Sequence, residues 1–282
     1  MMITWPNKSK CVVALSFDVD GVSSAMNQNP ETARLPSFMS MREYGPSVAT
    51  PRILDMLDEY GIKASFFIPG FVAETHETLV KNIHERGHEI GHHGYLHEPP
   101  STLTKSEEGK VLDKGSTILQ RIIGVKPVGY RSPSWELSQY SLDLLIEREF
   151  LYDSSLMGHD VPYLTSGIGH ILTPNHRLPD SQTIVEIPIH WELDDAPYFN
   201  YAPALGMRNV AASPEHVFQI WSSAFEGAYH YGGCFPLTMH PHTIGRPGRI
   251  RMLRRLIEYI MEFEGVEFMK MCDVGTLAKN SR

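Results

Sequence analysis

The chain has 282 residues, 42% of them hydrophobic and 21% charged, so it can bury a sizeable core and is not a disordered polymer. With 25 Lys and Arg against 33 Asp and Glu the formal charge is −8, which leaves no basic excess to neutralise nucleic acid or an anionic membrane. Cys11, Cys234 and Cys272 lie far apart in no CxxC spacing; this excludes a disulfide framework or zinc knuckle and predicts buried thiols in a reducing compartment.

Residues 1–10 hold no apolar run of the signal-peptide kind, and no stretch approaches the ~20 apolar residues of a membrane span. A soluble, cytoplasmic protein is the expectation. Residues 11–17 (CVVALSF) are short and apolar, as in a strand buried on both faces. The polar stretch 21–48, with its prolines, predicts a long loop. Thr50-Pro51, followed by Ile53, Leu54, Leu57 and Gly61, reads as cap, first-turn proline, apolar stripe and terminating glycine of a helix. A strand over 64–68, a helix over 77–86 closed by Gly87 and a strand over 88–93 follow. Thr104 opens a long helix whose Leu112, Ile118, Leu119 and Ile122 share an apolar face. Further strands are predicted over 128–131, 151–154, 184–190, 235–240 and 266–271, with helices starting at Ser213-Pro214 and spanning 249–263. Two more insertions, 159–182 and 191–210, read as elaborated loops. Such alternation means βαβ units and a mainly parallel sheet, and seven or eight strands close naturally as one barrel domain over 1–282.

Four groups at strand ends carry the chemistry. Asp18 and Asp20 stand two apart at the end of the first strand, so both carboxylates project to one face. Like charges that close are costly unless a cation or a shared proton relieves them. His93 and His97 have the four-residue spacing that puts two imidazoles on one side of a helical turn, where they can grip one metal. Two His and one Asp would leave open positions for water and substrate, the plan of a catalytic zinc site. Arg131 follows the next strand and is a candidate partner for one of the acids, with Trp135 as a pocket wall. His240 ends the late strand, where a histidine suits general-acid work. Asp194, Asp195 and Tyr198, in the 191–210 insertion, are candidates to wall a pocket and orient substrate. No role is assigned to His88, His92 or His242. All four groups lie at the C-terminal ends of the predicted parallel strands, where barrel active sites are built.

In order and type these motifs resemble the polysaccharide deacetylase family of metal-dependent amide hydrolases. Ser16–Gly21 (SFDVDG) is similar to its TFDDG signature and His93–His97 to its H-[ST]-x-x-H motif. Arg131, Pro133 and Trp135 match R-x-P-x-W, Asp153-Ser154-Ser155 matches D-[ST]-S, and Leu237 to His240 matches L-x-x-H. Here Val19 separates two aspartates that are adjacent in most members, and Gly94 replaces the usual Ser or Thr. The resemblance implies a distorted (β/α)7 barrel with one divalent metal, zinc being the expected ion. It implies Asp20, His93 and His97 as ligands, Asp18 as general base held by Arg131, and His240 as general acid. FDVDG, HGYLHE and WELDDAPY look like the branch of peptidoglycan-deacetylase-like proteins, ureide-ring hydrolases and cyclic imide hydrolases. Allantoinase-type members of that branch lack the full histidine pair present here. The expected function is hydrolysis of non-peptide C–N bonds, opening small cyclic imides or related amides. The alternatives are N-deacetylation of peptidoglycan or another N-acetylated glycan and, from a different class, an inactive metal-binding scaffold. The branch also implies a homo-oligomer, a tetramer, whose partners are small molecules or acetylated glycans and neither nucleic acid nor membrane.

Overall fold

A computed structural model describes residues 5–166, 182–208 and 210–281. Its strands are β1 (Cys11–Asp18), β2 (Ser65–Ile68), β3 (Glu89–His92), β4 (Gly129–Tyr130), β5 (Tyr152–Asp153), β6 (Tyr163–Thr165), β7 (Ile184–Glu186), β8 (Cys234–Met239) and β9 (Val266–Phe268). They join in the order β6-β7-β5-β4-β3-β2-β1-β8, with β9 paired to the start of β1. Every pairing is parallel except β6 with β7. Helices surround this sheet, which curls into a half-barrel, the distorted (β/α) barrel expected.

Odd and even residues of β1 serve different layers, as strand alternation requires. Val13, Leu15 and Phe17 join the large core beneath the helices Thr50–Glu59, Pro214–Tyr231 and Pro247–Met261. Val12 and Ala14 face the opposite side, where Met271 and Val274 of the C-terminal helix Met271–Asn280 plug one end of the barrel. At roughly 25 cal/mol per Å² of apolar surface, burial on both faces makes β1 the strand with most to lose from a polar substitution. The same inner row continues as Ser16 and Asp18, so it turns polar toward its C-terminal end.

Several readings change. Residues 21–48 are not structureless: they form the helices Ser23–Gln28 and Pro36–Tyr44, a 3-10 turn Pro30–Arg34 and a π-turn Gly45–Ala49 that runs into the helix at Thr50. Thr50 therefore does not begin a helix from an extended residue; its hydroxyl donates back to Gly45 O at 2.9 Å. The 191–210 insertion likewise contains the 3-10 turns Trp191–Leu193 and Pro203–Leu205 and a short helix, Ala196–Phe199. Strands expected over 128–131, 151–154 and 184–190 keep only two, two and three residues, because the chain leaves the sheet to shape the barrel rim. Of the predicted loop 159–182, residues 167–181 lie outside the described residues, and the part before them supplies β6.

Thr104 does open its helix, Lys105–Ile123, through a reciprocal capping box with Glu107, and Gly124 ends it at φ 78°. Ser213 caps the helix Pro214–Tyr231 by accepting from Glu215 N and His216 N.

Candidate active site

Sheet register brings the polar groups level. Phe17 pairs with Met239, so Asp18 and His240 are each one residue beyond the last paired position of β1 and β8. His92 pairs with Tyr130, which sets His93 and Arg131 one residue beyond β3 and β4. Four chain segments far apart in sequence thus end at one rim.

Asp18 is buried and accepts from Arg131 Nη1 at 2.8 Å. The same nitrogen donates to Ser16 Oγ at 2.8 Å, while Nε and Nη2 donate to Ser154 O and Ser154 Oγ at 3.2 and 3.0 Å. The guanidinium also lies 4.2 Å from the Phe67 ring centroid. A fully buried arginine with its donors shared in this way can hold Asp18 in only one orientation.

Asp20 takes no part in that pair. His93 Nε2 is 3.5 Å from its Oδ1 and His97 Nε2 is 3.5 Å from its Oδ2. One donor atom from each of the three residues lies within 4.8 Å of the others. His93 Nδ1 lies 2.8 Å from Arg131 O and donates to it, which assigns the proton to Nδ1 and leaves the Nε2 lone pair facing Asp20. Asp20 Oδ1 and His97 Nδ1 are buried with no hydrogen-bond partner among the described residues. Burial pushes the His97 ring down to about 4, so it is neutral and able to ligate at pH 7. Burial alone would raise the Asp20 carboxyl, yet His97, His93 and His240 around it hold it well below the usual carboxylate range. Two imidazole nitrogens and an ionised carboxylate, converging with an unsatisfied oxygen, fit a divalent ion.

The two histidines do not converge through a helical turn, as their spacing suggested. Gly94 at φ 72° and His97 at φ 61° bend the segment into a tight loop, clasped by Glu98 Oε2 accepting from Tyr95 N and Leu96 N at 3.0 and 2.8 Å. A non-glycine residue held at positive φ costs of order 1–3 kcal/mol, and here it falls on a candidate ligand.

The structure separates the acids of the 191–210 insertion. Asp195 is buried behind His240, accepting from its backbone N at 3.0 Å and from ring Nδ1 at 2.8 Å. Asp194 Oδ1 lies 3.4 Å from the same ring nitrogen. Burial acts to lower the His240 pKa, but these two carboxylates outweigh it and raise the ring well above its ordinary value. A parallel bridge between Asp194 and Thr238 lays the insertion along β8 and delivers both acids. Tyr198 does not reach the site; its hydroxyl donates to Glu192 O at 3.1 Å and its ring meets Trp221 edge-on.

Asp18, Asp20, His93, His97, Asp194 and His240 line a cavity of about 250 Å³, walled by Trp135 and by Trp191, whose rings are 4.5 Å apart between centroids. A larger surface cleft of about 700 Å³ beside Tyr229 and Phe263 gathers no such donor set. Sequence reasoning missed Ser24, Gln28, Arg42, Trp191, Asn200 and His242, which also line the cavity. No linear spacing marks them, because two insertions read as loops fold over the rim. Of the unassigned histidines, His88 accepts from Ala64 N at 3.1 Å, and His92 bridges Gly94 N and Leu112 O at 3.2 and 3.1 Å. Both are packing residues, pushed by burial down to about 4 and about 3.

Residues 7–150 match the model of a family described as polysaccharide deacetylase. The chain is 31% identical to a peptidoglycan deacetylase of Helicobacter pylori, with 96% of this chain and 98% of that protein covered. A peptidoglycan deacetylase-like protein of Gibberella zeae is 30% identical, with 91% and 83% covered. Among solved structures, a candidate polysaccharide deacetylase of Mycobacterium smegmatis superposes with a TM-score of 0.91 at 35% identity, covering 98% of this chain and 93% of its own. An allantoinase shares the fold, with a TM-score of 0.82 at 21% identity and coverage of 98% and 93%.

Proposed function

The chain belongs to the polysaccharide deacetylase family, and from that premise we propose that it is a metal-dependent amidohydrolase that removes the acetyl group of an N-acetylated, sugar-type substrate. The observation that carries the reading is that one cavity is lined by the Asp20–His93–His97 donors, by Asp18, which Arg131 holds from behind, and by His240, which Asp195 holds from behind. The names of the two full-length relatives support the acetylated substrate.

Asp20, His93 and His97 would hold the ion, and a donor set of two imidazoles and a carboxylate suits zinc. When bound, such an ion supplies Lewis acidity toward an amide carbonyl and a water. Asp18 accepts the proton of the attacking water, its Oδ1 fixed by Arg131 so that the carboxylate cannot swing away. His240 donates a hydrogen bond from Nδ1–H to Asp195, which leaves the other ring nitrogen to carry a proton to the departing nitrogen. The two carboxylates behind the ring keep it protonated at neutral pH, as an acid requires. Trp135 and Trp191 present a paired aromatic surface to one side of the cavity.

A second reading, the opening of small cyclic imides, is favoured by the volume of the cavity. About 250 Å³ lies below the ~300–1,000 Å³ usual for small-molecule sites and suits a single small ring better than a polymer chain. Three free cysteines fit a cytoplasmic location, and homo-oligomeric assembly as a tetramer completes the proposal; light scattering tests that assembly. The deciding experiment assays zinc-loaded protein for acetate release from N-acetylglucosamine and its oligomers, and for ring opening of succinimide-type imides and hydantoins. Acetate release supports the first reading. Ring opening without acetate release replaces it with the second, and loss of both activities overturns the amidohydrolase assignment.

A further inference from the structure

Arg42 is a buried arginine in salt-bridge contact with no acid among the described residues. It is 3% exposed and lines the same cavity as Asp20, His93 and His97. Its hydrogen bond there is from Nη1 to His242 Nε2 at 2.6 Å, while Nε is buried with no partner. Asp20 is the acid that attracts it, but the Asp20 oxygens face the two histidines at 3.5 Å. His242 cannot serve as counter-ion: burial first, then Arg42 itself, drives its ring well below the ordinary value, so it is neutral.

The position is held firmly. Arg42 precedes the π-turn Gly45–Ala49, and a Cβ on Gly45 would lie 3.2 Å from His242 Cβ. That close approach seats His242 against the turn and ties the guanidinium by one nitrogen. π-turns occur preferentially at functional sites. Ser24 lines the same cavity, and its buried Oγ also lacks a partner among the described residues. Unpaired buried charge is costly, and buried polar groups are normally satisfied, so two such groups aimed into one cavity point to a ligand that completes them.

We propose that Arg42 and Ser24 form a carboxylate-binding subsite beside the reacting centre, so that the preferred substrates carry a carboxylate close to the scissile C–N bond. The planar fork of a guanidinium matches a carboxylate, whereas a neutral carbonyl would leave the buried charge uncompensated. This rests on the amidohydrolase reading, since it names the substrate class of that same site.

The test is calorimetric titration of the metal-loaded protein with succinamate and with succinamide, which differ in one carboxylate. Wild type should bind succinamate at least tenfold more tightly. Arg42→Met should abolish the preference, Ser24→Ala should reduce it, and Arg42→Lys should restore part of it, with circular dichroism confirming that each variant is folded. No preference in wild type, or a preference that survives Arg42→Met, overturns the subsite; survival is the result expected if the carboxylate binds at the metal instead. Absence of turnover on every acetylated and imide substrate, with the succinamate preference intact, would overturn the amidohydrolase reading and leave the subsite standing.

Discussion

Asp18 accepts a hydrogen bond from Arg131 at 2.8 Å, whereas Asp20, two residues on, faces two histidines at 3.5 Å. That difference predicts opposite phenotypes. Asp18→Asn should keep metal occupancy and lose turnover by ~10²–10⁴-fold, the usual worth of a general base, in steady-state kinetics paired with metal analysis. His93→Ala and His97→Ala should each lose the ion outright; full occupancy in both would remove the proposed centre. Asp195 supports His240 with two hydrogen bonds and, together with Asp194, holds the ring above its ordinary value. A raised histidine stays protonated into alkaline solution, so the alkaline limb of kcat should move to lower pH in Asp195→Asn. An unmoved limb in the pH–rate profile would show that another group supplies the proton.

The helix Lys105–Ile123 packs on the site rather than contributing to it. Its Gly115 has no side chain because a Cβ there would lie 2.4 Å from His92 Nε2 and 3.0 Å from Gly94 O. Both atoms belong to the segment that turns His93 and His97 toward Asp20. Alanine in place of glycine ordinarily stabilises a helix interior by ~1 kcal/mol. Here the overpacking cost of ~1–3 kcal/mol wins, so Gly115→Ala should lower the melting temperature and weaken metal affinity together. A melt unchanged from wild type would mean that His92 moves aside freely.

Across the whole molecule, stability depends on a buried acid pair. Asp153 and Glu186 are paired neighbours on β5 and β7, each keeping one buried oxygen without a hydrogen-bond donor among the described residues. Burial raises Asp153 to about 6, and burial together with Asp153 raises Glu186 well above its ordinary value. A carboxyl raised on folding contributes stability that is complete below its unfolded pKa, ~4, and is lost as pH rises through the folded value. Wild type should therefore lose stability from about pH 4 upward through pH 6 and beyond. Glu186→Gln needs no shared proton, and its side-chain oxygen can still accept from Ser155 N and Leu156 N, both at 3.0 Å in the native protein. Its unfolding free energy, from denaturant titration, should fall less with pH and exceed wild type by about 1–3 kcal/mol at pH 8. A decline as steep as wild type would assign the pH dependence to other groups.

The parallel alternation was legible in the sequence because strand and helix periodicity is local, and the resemblance of the motifs singled out Asp20, His93 and His97, whose donor atoms the fold brings within 4.8 Å of one another. Strand periodicity puts Ser16 and Asp18 on one side whatever the rest of the chain does, whereas Asp20 lies past the end of β1 and His93 and His97 converge through a loop rather than the helical turn their spacing suggested. The helices within 21–49 were not legible: they are short and polar, and segments of that length gain their stability from the tertiary contacts that cover them. The same limit applied to Asp195, read as a substrate contact and found behind His240, and to Tyr198, which lies away from the cavity. Arg42 was invisible for the same reason. Its partner His242 is 200 residues distant, and no spacing in a linear chain foretells which charge will be buried beside which cavity. Local geometry repeats with the backbone and can be read from sequence, whereas pairing across the rim depends on the registers of β1, β3, β4 and β8 together, and only the folded chain sets them.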